Sequence, residues 1–157
     1  MRHDFTYKIA NTAAEFEQGK QLFEEYVASL GVDLSFQDFS NELKTIGQQY
    51  NQPAGALLLA ARENIAIGCA GIRKIDHETA ELKRMYVQDA YRGYGIGVQL
   101  LERSLQIAVT LGYQKIRLDT LQNMTKAQEL YRSFGFYEIP SYRFNPLAGA
   151  IYMEKEL

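Results

Sequence analysis

The fold is decided by one stretch, residues 79–97, whose sequence is TAELKRMYVQDAYRGYGIG. Its first nine residues, rich in long side chains, predict a strand. Glycines then stand at alternate positions, Gly93, Gly95 and Gly97, and apolar residues at helical spacing predict a helix over 97–112. Because glycine costs stability in regular structure, this strand–turn–helix unit indicates that bare backbone is needed where the helix begins.

The glycine turn does not match the two best-known phosphate-binding loops. A dinucleotide fingerprint beginning at Gly93 would need glycine at Val98, and a P-loop would end in Gly-Lys-Ser/Thr, which this stretch lacks. The first amides of a helix nevertheless have no partner within the helix, and they carry the positive end of its dipole. Glycines would let a diphosphate approach those amides, and Arg92 would add a positive charge. A glycine-rich turn without a ligand is the alternative.

The rest of the chain alternates between strand and helix patterns. Their periodicities predict the order β-α-α-β-β-β-α-β-α-β-β, with a tight turn at Glu63–Asn64 and a second helix ending near Gly47. Helix caps are expected at Asn11 or Thr12, at Ser35 and at Thr125. The order of elements predicts an α/β fold, a mixed sheet with helices on both faces, in a single domain over residues 1–157.

Composition and charge narrow the classes of function. The 157 residues carry a formal net charge of −2 and a pI near 5.7, which predicts no general attraction to nucleic acid or anionic membrane. Cys69 is expected to be a buried thiol, and His3 and His77 lack metal-ligand spacing, so no metal is expected. Because neither a signal peptide nor a membrane-spanning stretch is evident, we expect a cytoplasmic protein.

Two separate motifs resemble those of the GCN5-related N-acetyltransferase (GNAT) superfamily. Residues 92–97 resemble the R/Q-x-x-G-x-G/A motif with which that family binds acyl-CoA. Residues 123–136, NMTKAQELYRSFGF, resemble its N-x-x-A-x-x-x-Y-x-x-x-G-F segment, with one residue more between Asn123 and Ala127 than the commonest spacing. The resemblance implies a mixed, mostly antiparallel sheet whose fourth and fifth strands are parallel and splay apart.

The resemblance also implies a cosubstrate, acetyl-CoA, and the residues that bind it. Its pantetheine arm would lie between the splayed strands and pair with the backbone of Met85, Tyr86 and Val87, while Asn123 would hydrogen-bond the arm. Its diphosphate would take amides from the turn, which comprises Arg92, Gly93, Tyr94, Gly95, Ile96 and Gly97.

The implied reaction is direct acetyl transfer to a primary amine. Such an amine is largely protonated at neutral pH, so it must lose a proton before it attacks, and the departing thiolate benefits from a proton donor. The resemblance implies Glu81 as general base and Tyr131 as acid, with a backbone N–H near Val87 stabilising the oxyanion. The alternatives are an ion-pair role for Glu81, with Lys83 or Arg73, and a packed core ring for Tyr131.

In this family the acceptor site is shaped by the first two helices, the fourth strand and the last loop. A cationic wall there would suit an amino-acid-like small molecule with a carboxylate, and ordinary solvated loop residues are the alternative. The residues predicted to line the pocket are Phe36, Arg84, Tyr142, Arg143 and Asn145. The aromatic-rich C-terminal end could instead cover a homodimer contact. Three functions stay open: a small-molecule N-acetyltransferase, an acetyltransferase of protein lysines or N-termini, and an acyl-CoA sensor without turnover.

Overall fold

The protein was analysed as a computed structural model, which describes residues 4–31, 38–143 and 149–157. The described strands are β1 (Thr6–Ile9), β2 (Ala56–Arg62), β3 (Ile65–Lys74), β4 (Thr79–Val87), β5 (Lys115–Leu121), β6 (Tyr137–Ile139) and β7 (Ala150–Glu156). The described helices are α1 (Ala13–Leu30), α2 (Phe39–Lys44), α3 (Ile46–Gln49), α4 (Ile96–Thr110) and α5 (Thr125–Ser133). The strands form one sheet in the order β1-β2-β3-β4-β5-β7-β6, in which the β4–β5 pair is parallel and the other described pairs are antiparallel.

Local chemistry sets several boundaries where the sequence predicts them. Thr12 caps α1 in a capping box, because its hydroxyl accepts from the Glu15 amide at 3.2 Å while the Glu15 carboxylate accepts from the Thr12 amide. Gly31 ends α1 in the left-handed conformation, at φ 65°. Glu63 and Asn64 both have positive φ and form the tight turn between β2 and β3. The predicted cap at Thr12 and the predicted turn at Glu63–Asn64 are confirmed.

The predicted second helix is two short helices in the structure. Thr45 separates α2 from α3 with backbone angles of φ −111° and ψ 21°, outside the helical range. Its hydroxyl donates to the carbonyl of Asn41 at 2.7 Å, a local hydrogen bond of the kind that competes with regular helix. α3 then continues two residues past Gly47, and the predicted cap Ser35 lies outside the described residues.

The predicted cap of α5 is wrong by one residue. Met124 occupies the N-cap position, since its carbonyl accepts the amide of Gln128 at 3.1 Å, the first hydrogen bond of the helix. Thr125 is therefore already the first helical residue, and its hydroxyl stands past the position from which a side chain caps the helix.

Two apolar clusters cover the two faces of the sheet. α4 and α5 pack on one face against residues that include Ala80 and Leu82 of β4, and α1, α2 and α3 pack on the other. Successive strand residues point to opposite faces, so Glu81 and Lys83 lie on the face of α1–α3. None of the helices in the described ranges is long and apolar enough to span a membrane. The prediction of helices on both faces is confirmed.

The parallel strands β4 and β5 part soon after they begin. Within the described residues their ladder runs from Thr79–Lys115 to Glu81–Arg117, although β4 continues to Val87 and β5 to Leu121. A gap therefore opens between the carboxyl ends of the two strands, as the resemblance implies.

Candidate active site

A groove of about 800 Å³ runs along the gap between β4 and β5 and reaches the start of α4. Most residues predicted to bind the cosubstrate line it, namely Met85, Tyr86, Val87, Arg92, Gly93, Gly95, Ile96, Gly97 and Asn123. Tyr94 does not line the groove: its side chain is half exposed, and its ring packs 5.8 Å from the ring centroid of Phe5. The gap and the glycine turn thus form one continuous cleft.

The glycines keep the backbone bare where α4 begins. Gly93 and Gly95 have φ values of 90° and 77°, a conformation that residues with a side chain rarely adopt, and Gly95 is the N-cap of α4. Gly97 has no positive φ that would demand glycine, and a Cβ added there would meet nothing within 4 Å among the described residues. Space beside the first turn of α4 is therefore left open without a packing reason inside the protein.

Arg92 fixes the turn to the end of β4. Its Nη1 lies 2.6 Å from the Asp89 carboxylate, its Nε donates to the Val87 carbonyl at 3.0 Å, and its guanidinium lies 5.8 Å from the ring centroid of Tyr86. Because Asp89 offsets this charge, the amides of α4 contribute much of the positive potential. Lys126 of α5 also lines the groove, although the motifs do not indicate it as a binding residue.

Arg84 forms a bulge in β4 beside the groove. Cys69 pairs with Tyr86 and Gly71 with Lys83, so Arg84 and Met85 both stand opposite the single residue between Cys69 and Gly71. Arg84 has a φ of 56°, which is rare for a residue with a long side chain. Glu42 and Cys69 both help to hold it there. Its guanidinium binds the Glu42 carboxylate of α2 through two hydrogen bonds, and the Cys69 thiol donates to its carbonyl at 3.2 Å.

Glu81 is fully buried, and both of its carboxylate oxygens already accept hydrogen bonds. Arg73 Nε donates to Oε1 at 3.0 Å, the Tyr142 hydroxyl donates to Oε2 at 2.6 Å, and Arg143 Nη2 contacts the same oxygen. Burial alone would raise the pKa of Glu81, but the charges of Lys83, Arg73 and Arg143 and the hydrogen bond from Tyr142 lower it. A carboxylate held in this way accepts a proton poorly, so its surroundings favour a positioning role.

Tyr131 reaches the closed end of the gap from α5. Its ring is buried and packs against Phe136, with centroids 5.7 Å apart, in keeping with the core alternative. It also lines a cavity of about 30 Å³ together with Lys83 and Asp119, which lie just past the last β4–β5 pair. Lys83 Nζ is 3.9 Å from Asp119 Oδ1. Burial raises the pKa of Tyr131 well above its ordinary value.

Charged side chains gather on the α1–α3 side of this closed end. We call them the ionic cluster, which comprises Glu42, Arg73, Glu81, Lys83, Arg84, Asp119 and Arg143. The cluster includes two residues predicted for the acceptor pocket, Arg84 and Arg143. A third, Tyr142, joins it through its hydrogen bond to Glu81. Phe36 and Asn145, also predicted for this pocket, lie outside the described residues. Across the described ranges, no group of His, Cys, Asp or Glu residues is arranged to hold a metal ion.

Known proteins resemble the chain over most of its length. The sequence model of the acetyltransferase (GNAT) family matches residues 19–136. An uncharacterized N-acetyltransferase of Schizosaccharomyces pombe is 35% identical over 145 residues, which cover 91% of this chain and 89% of that protein. The IAA acetyltransferase of Azospirillum brasilense is 36% identical over 140 residues, covering 87% and 89%.

The fold agrees with these relatives. The crystal structure of a GNAT family acetyltransferase from Elizabethkingia anophelis with acetyl-CoA bound has a TM-score of 0.64 to this chain, with 25% identity over 99% of this chain and 100% of that one. The region matched by the family model contains the glycine turn and the whole of the second motif, and the two strands that splay apart lie within it. The chain therefore belongs to the GNAT family of acetyltransferases.

Proposed function

We propose that the chain transfers the acetyl group of acetyl-CoA to the primary amine of a small molecule that carries a carboxylate, such as an amino acid. One observation carries this proposal: the groove between β4 and β5 ends beside the ionic cluster. A groove suits an extended thioester, and a cluster with excess positive charge suits an anionic acceptor. The bound acetyl-CoA of the E. anophelis relative supports the choice of cosubstrate.

The glycine turn would hold the diphosphate of acetyl-CoA. Its bare amides and the positive end of the α4 dipole favour an anion there, and Lys126 would add a charge from the opposite wall. The pantetheine arm would follow β4 along Met85–Val87, past the point where the β4–β5 ladder ends. Asn123 lines the same groove and would hydrogen-bond the arm.

The chemistry would be direct attack on the thioester. The amine nitrogen bonds to the acetyl carbon, the resulting oxyanion takes a hydrogen bond from a backbone N–H near Val87, and the C–S bond then breaks. Tyr131, at the closed end of the gap, would give the thiolate its proton. We assign Glu81 to the positioning of Tyr142 and Arg143, because its pKa is lowered and its oxygens are occupied. The acceptor ammonium would lose one proton to solvent before the attack, and its nitrogen would lose a second proton to solvent as the amide forms.

The balance of charge in the ionic cluster supports a carboxylate on the acceptor. Within the described residues the cluster holds four cationic side chains, those of Arg73, Lys83, Arg84 and Arg143. It holds three carboxylates, those of Glu42, Glu81 and Asp119. One positive charge is therefore left over when all seven groups are ionised. Arg143 is partly exposed, so it can receive an anion while it holds Glu81.

The test is thiol release from acetyl-CoA across a matched panel of amines. The panel pairs free amino acids with their methyl esters, which keep the amine and remove the negative charge, and adds peptides with a free N-terminus or a free lysine. We expect a kcat/KM at least about tenfold higher for the acids than for the esters, since a charge-assisted hydrogen bond is lost in the ester.

Other outcomes would contradict the proposal in distinct ways. Equal kcat/KM values for acids and esters would show that the carboxylate of the acceptor is not recognised. Faster turnover of the peptides would indicate a protein acetyltransferase. Calorimetric binding of CoA without turnover of any amine would indicate a sensor.

A further inference from the structure

We infer that Lys83 provides the proton that leaves with the CoA thiol, acting through the hydroxyl of Tyr131 across the 30 Å³ cavity, and that Asp119 keeps Lys83 charged for this purpose. The inference rests on the proposed function, which makes Tyr131 the group that protonates the departing thiolate. Lys83 does not itself contact the thiolate in this account. It is a positioning residue that restores the proton of Tyr131.

The geometry places the three groups around one small polar space. Lys83, Asp119 and Tyr131 line the cavity from β4, β5 and α5, and a space of about 30 Å³ is large enough for a water-sized group. The Lys83 side chain is 1% exposed, so it exchanges protons with this space more readily than with bulk solvent. Tyr26 and Met85 line both the cavity and the groove, so the two spaces adjoin.

Tyr131 needs such a partner because its phenolate would be unstable where it lies. Burial, with smaller contributions from Tyr26 and Asp119, raises the pKa of Tyr131 well above its ordinary value. A donation that left the phenolate behind would therefore be strongly uphill. The cost falls if the phenol oxygen receives a proton as it gives one away.

The proton count of this relay balances. The O–H bond of Tyr131 breaks as the S–H bond of CoA forms, and an N–H bond of Lys83 breaks as the Tyr131 O–H bond is restored. Lys83 is left neutral and regains a proton from solvent. Solvent receives two protons from the acceptor nitrogen, one before the attack and one as the amide forms, so each turnover releases one net proton. No oxidant, reductant or other reactant takes part.

The surroundings of Lys83 leave its proton loosely held. Burial and the neighbouring Arg84 and Arg73 lower the pKa of Lys83 to about 8, while Asp119 and Glu81 act in the opposite direction. The titratable groups that face Lys83 are Arg73, Glu81, Arg84 and Asp119 from the sheet, Tyr26 and Glu42 from α1 and α2, and Tyr131 from α5. Lys83 is therefore mostly protonated at pH 7, yet it gives up its proton more easily than an exposed lysine.

The test is the pH dependence of kcat, followed by thiol release, in the wild-type protein and in matched variants. If protonated Lys83 is required, kcat of the wild type falls as the pH rises through about 8. Asp119→Asn removes a charge that favours the ammonium, so this fall moves to lower pH. Lys83→Arg keeps a charge that does not titrate below pH 10, so the fall near pH 8 disappears. In Lys83→Met and Tyr131→Phe the fall in kcat near pH 8 is also absent, and kcat itself is reduced by about tenfold or more.

The outcomes separate this inference from the proposed function. A wild-type protein that releases no thiol with any amine contradicts the proposed function. An active wild type whose fall in kcat stays at the same pH in Asp119→Asn and Lys83→Arg contradicts the relay alone. Thermal unfolding and CoA calorimetry establish that each variant folds. If Lys83→Met does not fold, the test depends on the other two variants. The fall in kcat should move to lower pH in Asp119→Asn and disappear in Lys83→Arg, whereas a merely structural role would change neither pH profile.

Discussion

Arg84 and Glu42 form a buried, two-point ion pair between β4 and α2: Arg84 Nη2 lies 2.9 Å from Glu42 Oε1, and Nε lies 3.1 Å from Oε2. The Tyr50 hydroxyl donates to the same carboxylate at 2.9 Å. The pair holds the residue that forms the bulge at φ 56°, directly beside Met85, which lines the groove. The ion pair therefore connects the packing of α2 to the shape of the candidate active site.

Removing the Glu42 carboxylate should destabilise the fold strongly. Glu42→Ala takes away the two-point partner of a buried guanidinium, a change that typically costs about 3–5 kcal/mol. The measurement is the free energy of unfolding from urea titration. The matched control is Asp89→Ala, which breaks the exposed pair with Arg92 and should change stability by about 0–1 kcal/mol. Similar losses in the two variants would show that the Glu42–Arg84 pair does not support β4.

Stability should fall in acid because of Glu42 and Glu81. In both, burial alone would raise the pKa, but neighbouring positive charges and hydrogen bonds lower it in the folded protein. A carboxyl with a lowered folded pKa stabilises the fold above its unfolded value, near pH 4.5, and this contribution is lost as the pH falls further through the folded value. In Glu81→Gln, the free energy of unfolding should therefore fall less steeply below pH 4.5. An unchanged slope would contradict the assignment.

Glu81→Gln also separates the positioning role from the base that the resemblance implies. We expect the acidic limb of the pH–rate profile to stay at the same pH, because the lowered pKa and occupied oxygens of Glu81 make it a poor base. Tyr142→Phe removes a hydrogen bond to the same carboxylate. Both variants should raise the KM for the acceptor. Loss of the acidic limb in Glu81→Gln alone would instead establish Glu81 as the general base.

Two glycines with nearly the same φ allow backbone strain to be separated from ligand binding. Gly93 and Gly112 have φ values of 90° and 95°, and at either site an added Cβ meets no described residue within 4 Å. Alanine at either position should therefore cost a similar amount of stability, about 1–2 kcal/mol. Calorimetry should show weaker CoA binding for Gly93→Ala and unchanged binding for Gly112→Ala. Equal affinities in the two variants would indicate that the turn serves the backbone alone.

Much of the fold could be predicted because its signals are local. The strand 79–87 matches β4 residue for residue, and the left-handed glycines and the Glu63–Asn64 turn follow from short-range chemistry. The bulge at Arg84 could not be predicted, since no local signal favours positive φ for arginine and its partner Glu42 is 42 residues away. Such a conformation is held by tertiary contacts, which periodicity does not encode.

The candidate site, like the fold, could be predicted only where its signals are local in sequence. The groove residues follow from the glycine turn and its position between a strand and a helix, both visible in the sequence. The contact between Lys83 and Asp119 arises where β4 and β5 part, and only the paired register of the two strands brings these residues together. Likewise, the occupied oxygens of Glu81 depend on the return of Tyr142 from the last loop.

The central claim is that the amides at the start of α4 hold the diphosphate of CoA, and calorimetric titration of CoA into Gly97→Ala tests it most directly. In the described part of the chain, an added Cβ at Gly97 meets no neighbouring residue within 4 Å, so the variant should fold and be as stable as the wild type or more stable, by up to about 1 kcal/mol. We predict that it binds CoA at least about tenfold more weakly, because the methyl group occupies space left for the ligand. Wild-type affinity in a folded Gly97→Ala protein would contradict the account.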